Sequence, residues 1–531
     1  MSAFKETLRP YWGREVYITG SAKFQTQLTI RATAQAGVPR LRHTSHVVQL
    51  AMLQSQIQDL RRVKWLDLYG LITCVTTRLS KASCSAISLL GRGSYNTVYK
   101  LTFSDAFCCA VSVPNADEEY FDPSTKQSEI ATMLFVKESG LYPDIPIPHV
   151  YIWDLTFTNP AGAPYVVLDY ICGILLSEGQ SELTGLQGLD AMSPQDQLSV
   201  VKCLAKLQAS LSKPVPFAKI GSLTRNDSGS FEVGELITIT GARLGGPYTT
   251  LSQLWRTLVE RQILHALEEW HSLETDQLSR SLSEPYATPQ QFSDLLQRLS
   301  ALIPYFIPPN AYTRLVLHHP DLALRNILFD PTDHSKIVGV LDWGGAQILP
   351  LMLTAHFPPD LHTEGDDPCP RPGYPDERWR TIPHDWTSFG DSSSWTPVYK
   401  SDNKPVDLTI PASAMVKRYY LRQSFGVSFA ERIAEMYNDC DLARAMLFAD
   451  AAYYLKFHEV MTRGWVGWVE HASWIKETYW RLHLMGTKPG MLLVGPNTYH
   501  GCAEEVACDL GLLGSLESGE QMAEETNDSG S

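Results

Sequence analysis

The chain has 531 residues, of which 44% are apolar and 19% charged, and at about 150 residues per domain this is typical of a folded protein with roughly two to four domains. Its 44 Lys and Arg residues are outnumbered by 58 Asp and Glu residues, and the net charge of −14 argues against a protein that binds nucleic acid or an anionic membrane. The sequence contains no run of 18 apolar residues, so no membrane span is predicted. Its ten cysteines include no Cys-x-x-Cys pair, which favours reduced thiols and an intracellular compartment.

The two ends of the chain carry opposite charge. Residues 1–50 contain seven basic and two acidic residues, whereas residues 501–531 contain eight acidic residues and neither Lys nor Arg. A basic start with frequent Ser and Thr fits a mitochondrial presequence, and it fits a disordered tail equally well. We therefore assign 1–62 to a basic N-terminal extension and 486–531 to an acidic C-terminal tail, and we expect a mitochondrial location with the cytoplasm as the alternative.

The sequence between the two ends divides into two compositions. In the first, 63–170, short runs of β-branched and aromatic residues are broken by Gly, Pro and Asn, as in strands joined by turns. In the second, 171–485, apolar residues recur at helical spacing over 195–310 and 411–485, and a segment rich in Pro, Asp and Gly at 355–408 is predicted to be a long irregular connection. These patterns predict an α+β fold with a small β-rich N-lobe and a larger helical C-lobe.

The first motif is a glycine-rich turn between two predicted strands at 86–90 and 97–103. Gly91 and Gly93 lack Cβ, so a hairpin built on them can bring backbone N–H groups close to phosphates. Asn96 stands three residues further on and tolerates positive φ better than most residues. The motif is also compatible with an ordinary hairpin. A strand follows it rather than a helix, which excludes a Rossmann fingerprint, and the sequence has no Gly-Lys-Ser/Thr for a Walker A loop.

The second motif is a helix that follows the strands. Ser124 and Gln127 have the spacing of a capping box at its start, and Gly140 is placed to end it. Glu129 lies in the first turns of this helix. Its side chain is either an ordinary acid on an amphipathic helix or part of a site formed with the neighbouring strands.

The third motif is a hairpin with polar residues at its open end. Strands are predicted at 327–330 and 336–341, and the turn residues between them favour a hairpin. Counted from the middle of this turn, Asn326 lies opposite Asp342, and Asp321 lies in the loop that leads into the hairpin. Oxygen ligands grouped in this way suit Mg²⁺ held together with phosphates. The alternative is that Asp321 and Asn326 only stabilise turns.

Two other kinds of site fit this region less well. A zinc site would need the adjacent His318 and His319 to converge, together with His334, whereas adjacent strand residues point to opposite faces. A serine hydrolase of the usual kind would need Gly-x-Ser-x-Gly, which the sequence lacks. His319 is expected to brace the loop rather than to act as a base.

Taken together, the motifs resemble the aminoglycoside phosphotransferase family, which has a protein-kinase-like fold. The resemblance rests on His319-x-Asp321-x₄-Asn326 followed by Asp342, with the glycine-rich turn and Glu129 upstream. The amino-acid sequence of several segments resembles, more closely still, the fungal branch named for altered inheritance of mitochondria. These segments are SEIATMLFVKESG, LHHPDLALRNILFDP, GVLDWGGAQILPL and GGPYTTLSQLWRTLVERQI. The resemblance covers roughly residues 65–485.

The resemblance implies an ATP- and Mg²⁺-dependent phosphotransferase that acts on a hydroxyl of an unidentified small molecule. Asp321 would orient and deprotonate this hydroxyl, and Asn326 and Asp342 would hold Mg²⁺ at the phosphates. Asp169 and Tyr170 would belong to the hinge that receives adenine. The residues that would cover or position the phosphates are Gly91, Gly93, Ser94, Asn96 and Glu129.

One departure from the family pattern affects catalysis. In the family, the strand after the glycine-rich turn carries a Lys or Arg that pairs with the helix glutamate and clamps the phosphates. Here Ser112 takes that place, so Glu129 is expected to lack its partner unless Arg92 or Lys100 reaches it. The alternative function is therefore a pseudokinase, a binding protein that has lost catalysis.

Overall fold

The described part of the chain begins with strands and continues mainly with helices. A computed structural model gives the structure of residues 63–178, 188–269, 289–308, 312–361, 412–437, 449–464, 468 and 471–484. The predicted N-terminal extension, the acidic tail and most of the predicted 355–408 connection lie outside these residues. Within the described helices, none is long and apolar enough to cross a membrane.

The N-terminal part is a five-stranded antiparallel sheet with the order β1-β2-β3-β5-β4. Burial alternates along β2, so that every second residue from Thr97 to Phe103 faces a hydrophobic cluster on one side of the sheet. The alternate residues, which include Asn96 and Lys100, face the other side. The strands are β1 (Cys84–Arg92), β2 (Asn96–Phe103), β3 (Cys108–Pro114), β4 (Val150–Asp154) and β5 (Tyr165–Asp169).

A helix that precedes the sheet supplies the rest of this cluster. Helix α1 (Leu68–Arg78) begins after Asp67, whose carboxylate accepts the backbone N–H groups of Tyr69 and Gly70 at 2.9 and 3.2 Å. A Cβ at Gly70 would lie 1.8 Å from the carbonyl oxygen of Pro160. Only glycine therefore lets α1 approach the loop before β5, and this contact closes one face of the N-lobe.

Helix α2 (Pro123–Glu138) carries Glu129 and packs its apolar residues into the larger hydrophobic core. The predicted capping box is wrong by two residues, because Asp122 is the N-cap and accepts the backbone N–H of Ser124 at 2.9 Å. Pro123 then occupies the first helical position, where its missing N–H has no cost. The predicted end at Gly140 agrees with the helix, which stops at Glu138, and Gly140 has φ +72°.

The C-terminal part is built mainly from helices around one apolar core. In this core the ring of Phe457 stacks on Phe306 with centroids 4.2 Å apart and meets Trp255 edge-on at 4.9 Å. Of the apolar residues that recur at helical spacing from Leu251 onward, Leu254, Trp255 and Leu258 are buried in this core, whereas Leu264 is 61% exposed. The helices are α3 (Pro194–Leu211), α4 (Leu251–Glu269), α5 (Pro289–Leu302), α6 (Ala412–Tyr437), α7 (Ala449–Thr462) and α8 (Ala472–Tyr479).

The region 195–310, which the sequence predicts to be largely helical, contains strands between α3 and α4. Two small hairpins lie there, because Asn226–Gly229 and Thr238–Gly241 form tight turns that end any helical period. The second hairpin reaches the candidate site described below. The strands are β7 (Leu223–Arg225) with β8 (Phe231–Val233), and β9 (Leu236–Ile237) with β10 (Arg243–Gly245).

The predicted hairpin at 327–341 is present, but its register differs by one residue. β12 (Ile327–Phe329) pairs with β13 (Ile337–Val340) so that Ile327 faces Val340, and the backbone N–H of Leu341 donates to the carbonyl of Asn326 at 2.8 Å. Asn326 is thus opposite Leu341 rather than Asp342. Phe329 faces Ile337, so the turn is centred one residue earlier than predicted, and the one extra residue in β13, Val338, offsets only part of this difference. The neighbouring strands are β6 (Ile174–Leu175), which pairs with β12, and β11 (Leu315–His318), which pairs with β14 (Gln347–Pro350).

Candidate active site

The loop after β11 is fixed by a buried histidine. His319 is 2% exposed; its Nε2–H donates to the carbonyl of Leu341 at 3.0 Å, and its Nδ1 accepts the backbone N–H of Asp321 at 3.2 Å. Because a carbonyl can only accept, these bonds define a neutral ring with its proton on Nε2. Burial lowers the pKa of His319 to about 4, which keeps the ring neutral. These contacts match the bracing role predicted from the sequence.

Asp321 and Asn326 meet at the open end of the β12–β13 hairpin. The Asn326 amide nitrogen donates to the Asp321 carboxylate at 2.8 Å and to the Asp321 carbonyl at 2.9 Å. Since both acceptors require the nitrogen, the amide oxygen of Asn326 points away from Asp321 and has no hydrogen-bond partner among the described residues. Arg325 also pairs with Asp321, at 2.5 Å, although its own side chain is 58% exposed.

Asp342 completes this group in an unusual backbone conformation. Its φ is +56°, a left-handed value that non-glycine residues rarely adopt, and such strain is common at functional sites. A Cβ built on Gly344 would lie 3.4 Å from the Asp342 carboxylate and 3.8 Å from that of Glu129, so the two acids lie close together. Removal from bulk water, and then the charges of Glu129 and Asp321, raise the pKa of Asp342 to about 6, although the side chain keeps access to solvent within the cleft.

These residues fit a divalent cation. A carboxylate whose ionised form is disfavoured by neighbouring acids gains from a positive ion beside it, and the Asn326 amide oxygen is a suitable second ligand. Within the described ranges, no group of three or more His, Cys, Asp or Glu residues forms a metal site by itself. One carboxylate and one amide oxygen would therefore hold the ion together with ligand oxygens.

Glu129 lacks the cation on β3, as expected, but it has a cation partner on its own helix. Lys126, one helical turn earlier on α2, donates from Nζ to the Glu129 carboxylate at 2.6 Å and to the Asn96 side-chain oxygen at 3.1 Å. Ser112 is indeed uncharged and buried on β3, between Val98 and Val166. The sequence carried one signal for this pair, because residues at i and i+3 lie on the same face of a helix.

The two other cations considered from the sequence do not pair with Glu129 in the structure. Lys100 lies on β2 with its Nζ 3.7 Å from the centre of the Tyr170 ring, a cation–π contact. Arg92 is exposed at the end of β1, opposite Thr97.

The glycine-rich turn is fastened by a residue that the sequence did not reveal. Asn115 follows β3 and donates from its amide to the carbonyls of Gly93 and Ser94, at 2.8 and 3.2 Å. No space is blocked at Gly91, and only the Asn96 carbonyl lies within 4 Å of a Cβ at Gly93. Neither glycine has positive φ, and Asn96 does not use its tolerance of positive φ, because it begins β2 as an extended residue.

Tyr95, at the tip of this turn, lies near the acidic group although it is 54% exposed. Partial burial, followed by the negative charges of Asp342 and Asp321, raises the pKa of its phenol. The turn therefore faces the same cleft as the β12–β13 hairpin.

The two residues predicted to form the hinge, Asp169 and Tyr170, lie at the end of β5 and directly after it. The Asp169 carboxylate accepts the Tyr151 hydroxyl at 2.5 Å and the His149 backbone N–H at 2.9 Å, and the Asp169 N–H donates to the His149 carbonyl. Asp169 thus joins β4 to β5 with both its side chain and its N–H. The Tyr170 side chain does not take part in these hydrogen bonds, and its ring lies beneath the ammonium group of Lys100.

The β9–β10 hairpin packs on the loop that follows Asp342. Gly345 has φ +72°, and a Cβ there would lie 2.5 Å from the backbone nitrogen and Cα of Ile239. The Gln347 side chain donates to the carbonyl of Ile237 at 2.8 Å, which ties β14 to the same hairpin. The glycine at 345 is explained by this contact, because a Cβ would not fit so close to Ile239.

Comparison with known proteins identifies the family. The model of the phosphotransferase enzyme family, APH, matches residues 87–352, which hold the glycine-rich turn, Glu129, Asp321, Asn326 and Asp342. The chain belongs to this family, and its fold is the predicted α+β, protein-kinase-like fold with a β-rich N-lobe and a helical C-lobe. It is thus a phosphotransferase-like protein.

Individual relatives and structures are more distant. A subtelomeric hrmA-associated cluster protein of Aspergillus fumigatus is 26% identical over 323 residues, which are 54% of this chain and 62% of the relative, so the match spans less than two thirds of that protein. Altered inheritance of mitochondria protein 9, mitochondrial, of Kluyveromyces lactis is 29% identical over 26% of this chain and 22% of its own. A crystal structure of aminoglycoside phosphotransferase APH(4)-Ia covers 80% of this chain and 100% of its own at 12% identity, with a TM-score of 0.37.

Proposed function

We propose that the protein transfers the γ-phosphate of ATP to a hydroxyl group of a small molecule, with Mg²⁺ at the phosphates. The observation that supports this most directly is the meeting of Asp321, Asn326 and Asp342 in one cleft beneath the glycine-rich turn. Asn326 and Asp342 would hold the ion, which neutralises charge on the phosphates when it is bound. Membership of the phosphotransferase family is consistent with this proposal.

Asp321 would act on the acceptor. Its carboxylate is 13% exposed and held by Asn326 and Arg325, so it is fixed in direction. The acceptor oxygen would form a bond to the γ-phosphorus while the bond from that phosphorus to the β,γ-bridging oxygen breaks. ADP leaves with that oxygen, and the hydroxyl proton passes to Asp321. A base of this kind typically contributes about 10²–10⁴-fold to the rate.

The alternative of a binding protein without catalysis rested on Ser112 and an unpaired Glu129. Ser112 still provides no charge, but Lys126 supplies a cation to Glu129, so the pairing argument no longer favours loss of function. Measurements of ATP binding and turnover separate the two functions, because a pseudokinase of this kind would bind Mg²⁺–ATP weakly or not at all and would transfer no phosphate.

The test is ATP binding and turnover by the full chain with three aspartates replaced singly. Asp321→Asn is expected to retain Mg²⁺–ATP binding, read as a rise in melting temperature, and to lose turnover by about 10²-fold or more. Asp342→Asn is expected to lose the Mg²⁺-dependent part of both ATP binding and turnover. Asp333→Asn, in the turn of the same hairpin, where the carboxylate accepts hydrogen bonds from Ser335, is the matched control and should change neither. Equal turnover by all four proteins would contradict the proposal.

We also propose a mitochondrial location, in line with the basic residues 1–50 and with the relatives that carry mitochondrial in their names. Import of the full chain into isolated mitochondria, compared with a chain lacking residues 1–50, tests it. Import that depends on this segment is expected. Equal exclusion of both chains would favour the cytoplasm.

A further inference from the structure

Lys126 is a buried lysine at the junction of the glycine-rich turn and α2. It is 7% exposed, and burying an ammonium group is unfavourable unless the group is paired. Its partners come from two elements, Glu129 on its own helix and Asn96 at the start of β2. An ordinary i,i+3 pair on a helix surface is solvated, whereas the side chains of Lys126 and Glu129 are only 9% and 16% exposed.

The position of this ammonium group matches a ligand-binding role. A lysine has three N–H donors, and the described residues accept two of them, which leaves one. Asn96 adjoins the tip of the glycine-rich turn, and the positive charge of Lys126 is near enough to lower the pKa of Asp342, against the larger effects that raise it. The Glu129 oxygen that accepts from Lys126 is also the one that lies beside Asp342 at Gly344, so the ammonium group is close both to the turn and to the candidate metal ligand.

The charges around the cleft make this cation important. Glu129, Asp321 and Asp342 are three acids, and Asp321 already pairs with Arg325. A nucleotide triphosphate adds further negative charge, so a positive group must lie beside it. On β3, where Ser112 stands, no charge is available.

We propose that Lys126 binds the phosphates of the nucleotide and, from α2, replaces a cation on β3. This inference rests on the proposed function and adds a residue to it. Glu129 orients the ammonium group, Asn96 links it to the glycine-rich turn, and the remaining N–H is directed to a phosphate oxygen. A purely structural role for Lys126, as a brace for the first turns of α2, makes a different prediction, because a brace would not distinguish ATP from adenosine.

The experiment compares the binding of ATP, with Mg²⁺ and without it, and of adenosine by the full chain. Lys126→Met is expected to lower ATP affinity by about tenfold to a hundredfold, the usual effect of one charge-assisted hydrogen bond, and to leave adenosine affinity unchanged. Lys137→Met, at an exposed position near the end of the same helix, is the matched control and should bind both ligands like the wild type. Adding Ser112→Lys to Lys126→Met should restore ATP affinity.

Each outcome of the binding experiment has one interpretation. Equal ATP affinity of wild type and Lys126→Met, or an equal loss of ATP and adenosine binding, would overturn the role of Lys126 while leaving the phosphotransferase proposal in place. Absence of ATP binding by the wild type would instead overturn the proposed function, and this inference with it. If Lys126→Met does not fold, Lys126→Met/Glu129→Gln removes the buried acid as well, and its ATP affinity relative to Glu129→Gln gives the same comparison.

Discussion

Replacing Gly345 by alanine tests whether the β9–β10 hairpin positions the loop that carries Asp342. The new methyl group would lie 2.5 Å from the backbone nitrogen and Cα of Ile239 and 2.8 Å from the carbonyl carbon of Thr238. Ordinary contacts begin near 3.4 Å, and backbone atoms cannot move aside as the end of a side chain can. Either the hairpin or the loop after Asp342 must therefore shift.

The destabilisation has two parts. The left-handed backbone at φ +72° costs an alanine about 1–2 kcal/mol, and overpacking against backbone typically adds about 1–3 kcal/mol. We therefore expect the free energy of unfolding to fall by about 2–5 kcal/mol, the sum of these two terms. A shift of about 1 Å near the catalytic group can lower turnover by roughly 10²-fold.

Gly241→Ala is the matched control for this substitution. Gly241 lies in the turn of the same hairpin with φ +81°, but no atom lies within 4 Å of a Cβ built there. It should show the left-handed cost alone. The measurements are urea unfolding of both variants and their Mg²⁺–ATP turnover. An equal loss of stability in the two variants would refute the argument, because the contact with Ile239 would then contribute nothing.

Three further predictions follow from the described contacts. Asn115→Ala removes the amide that holds the glycine-rich turn and should weaken ATP binding by about tenfold, measured by titration, with a small loss of stability; unchanged affinity would contradict this role. Tyr151→Phe deletes the hydroxyl bonded to Asp169 and should lower the unfolding free energy by about 1–2 kcal/mol in urea, and no change would mean that this bond does not stabilise the sheet. Burial lowers the pKa of His319 and of His458 to about 4, below the ordinary 6.5, so the unfolded chain takes up these protons first as the pH falls. The raised pKa of Asp342, about 6, acts in the opposite direction over the same range, so the test is made in Asp342→Asn. There the stability should decrease by about 1 kcal/mol per imidazole between pH 6.5 and 5.5, before most other carboxylates titrate; a flat profile in urea unfolding of this variant would exclude this effect.

The sequence by itself determined the parts of the site that depend on short-range pattern. The turn residues after Phe329 define a hairpin, and Asp321 and Asn326 are five residues apart, so their meeting at its open end is a local matter. The strands on both sides of the glycine-rich turn are likewise local features, because buried and exposed residues alternate along β2 and the turn itself contains two glycines. The exact pairing was not readable, because both the centre of the turn and one extra residue in β13, Val338, decide it, and together they place Asn326 opposite Leu341 rather than Asp342.

Only the tertiary structure decided which charges meet. Lys126 and Glu129 share a helix face in the sequence, but the burial that makes their pair matter comes from packing α2 against the sheet, and Asn96 and Asp342 reach it from distant parts of the chain. The contact of Gly345 with Ile239 spans more than a hundred residues. Electrostatic and steric effects act through space. The sequence around Ser112 shows that β3 carries no cation, but it could not show where the compensating cation lies.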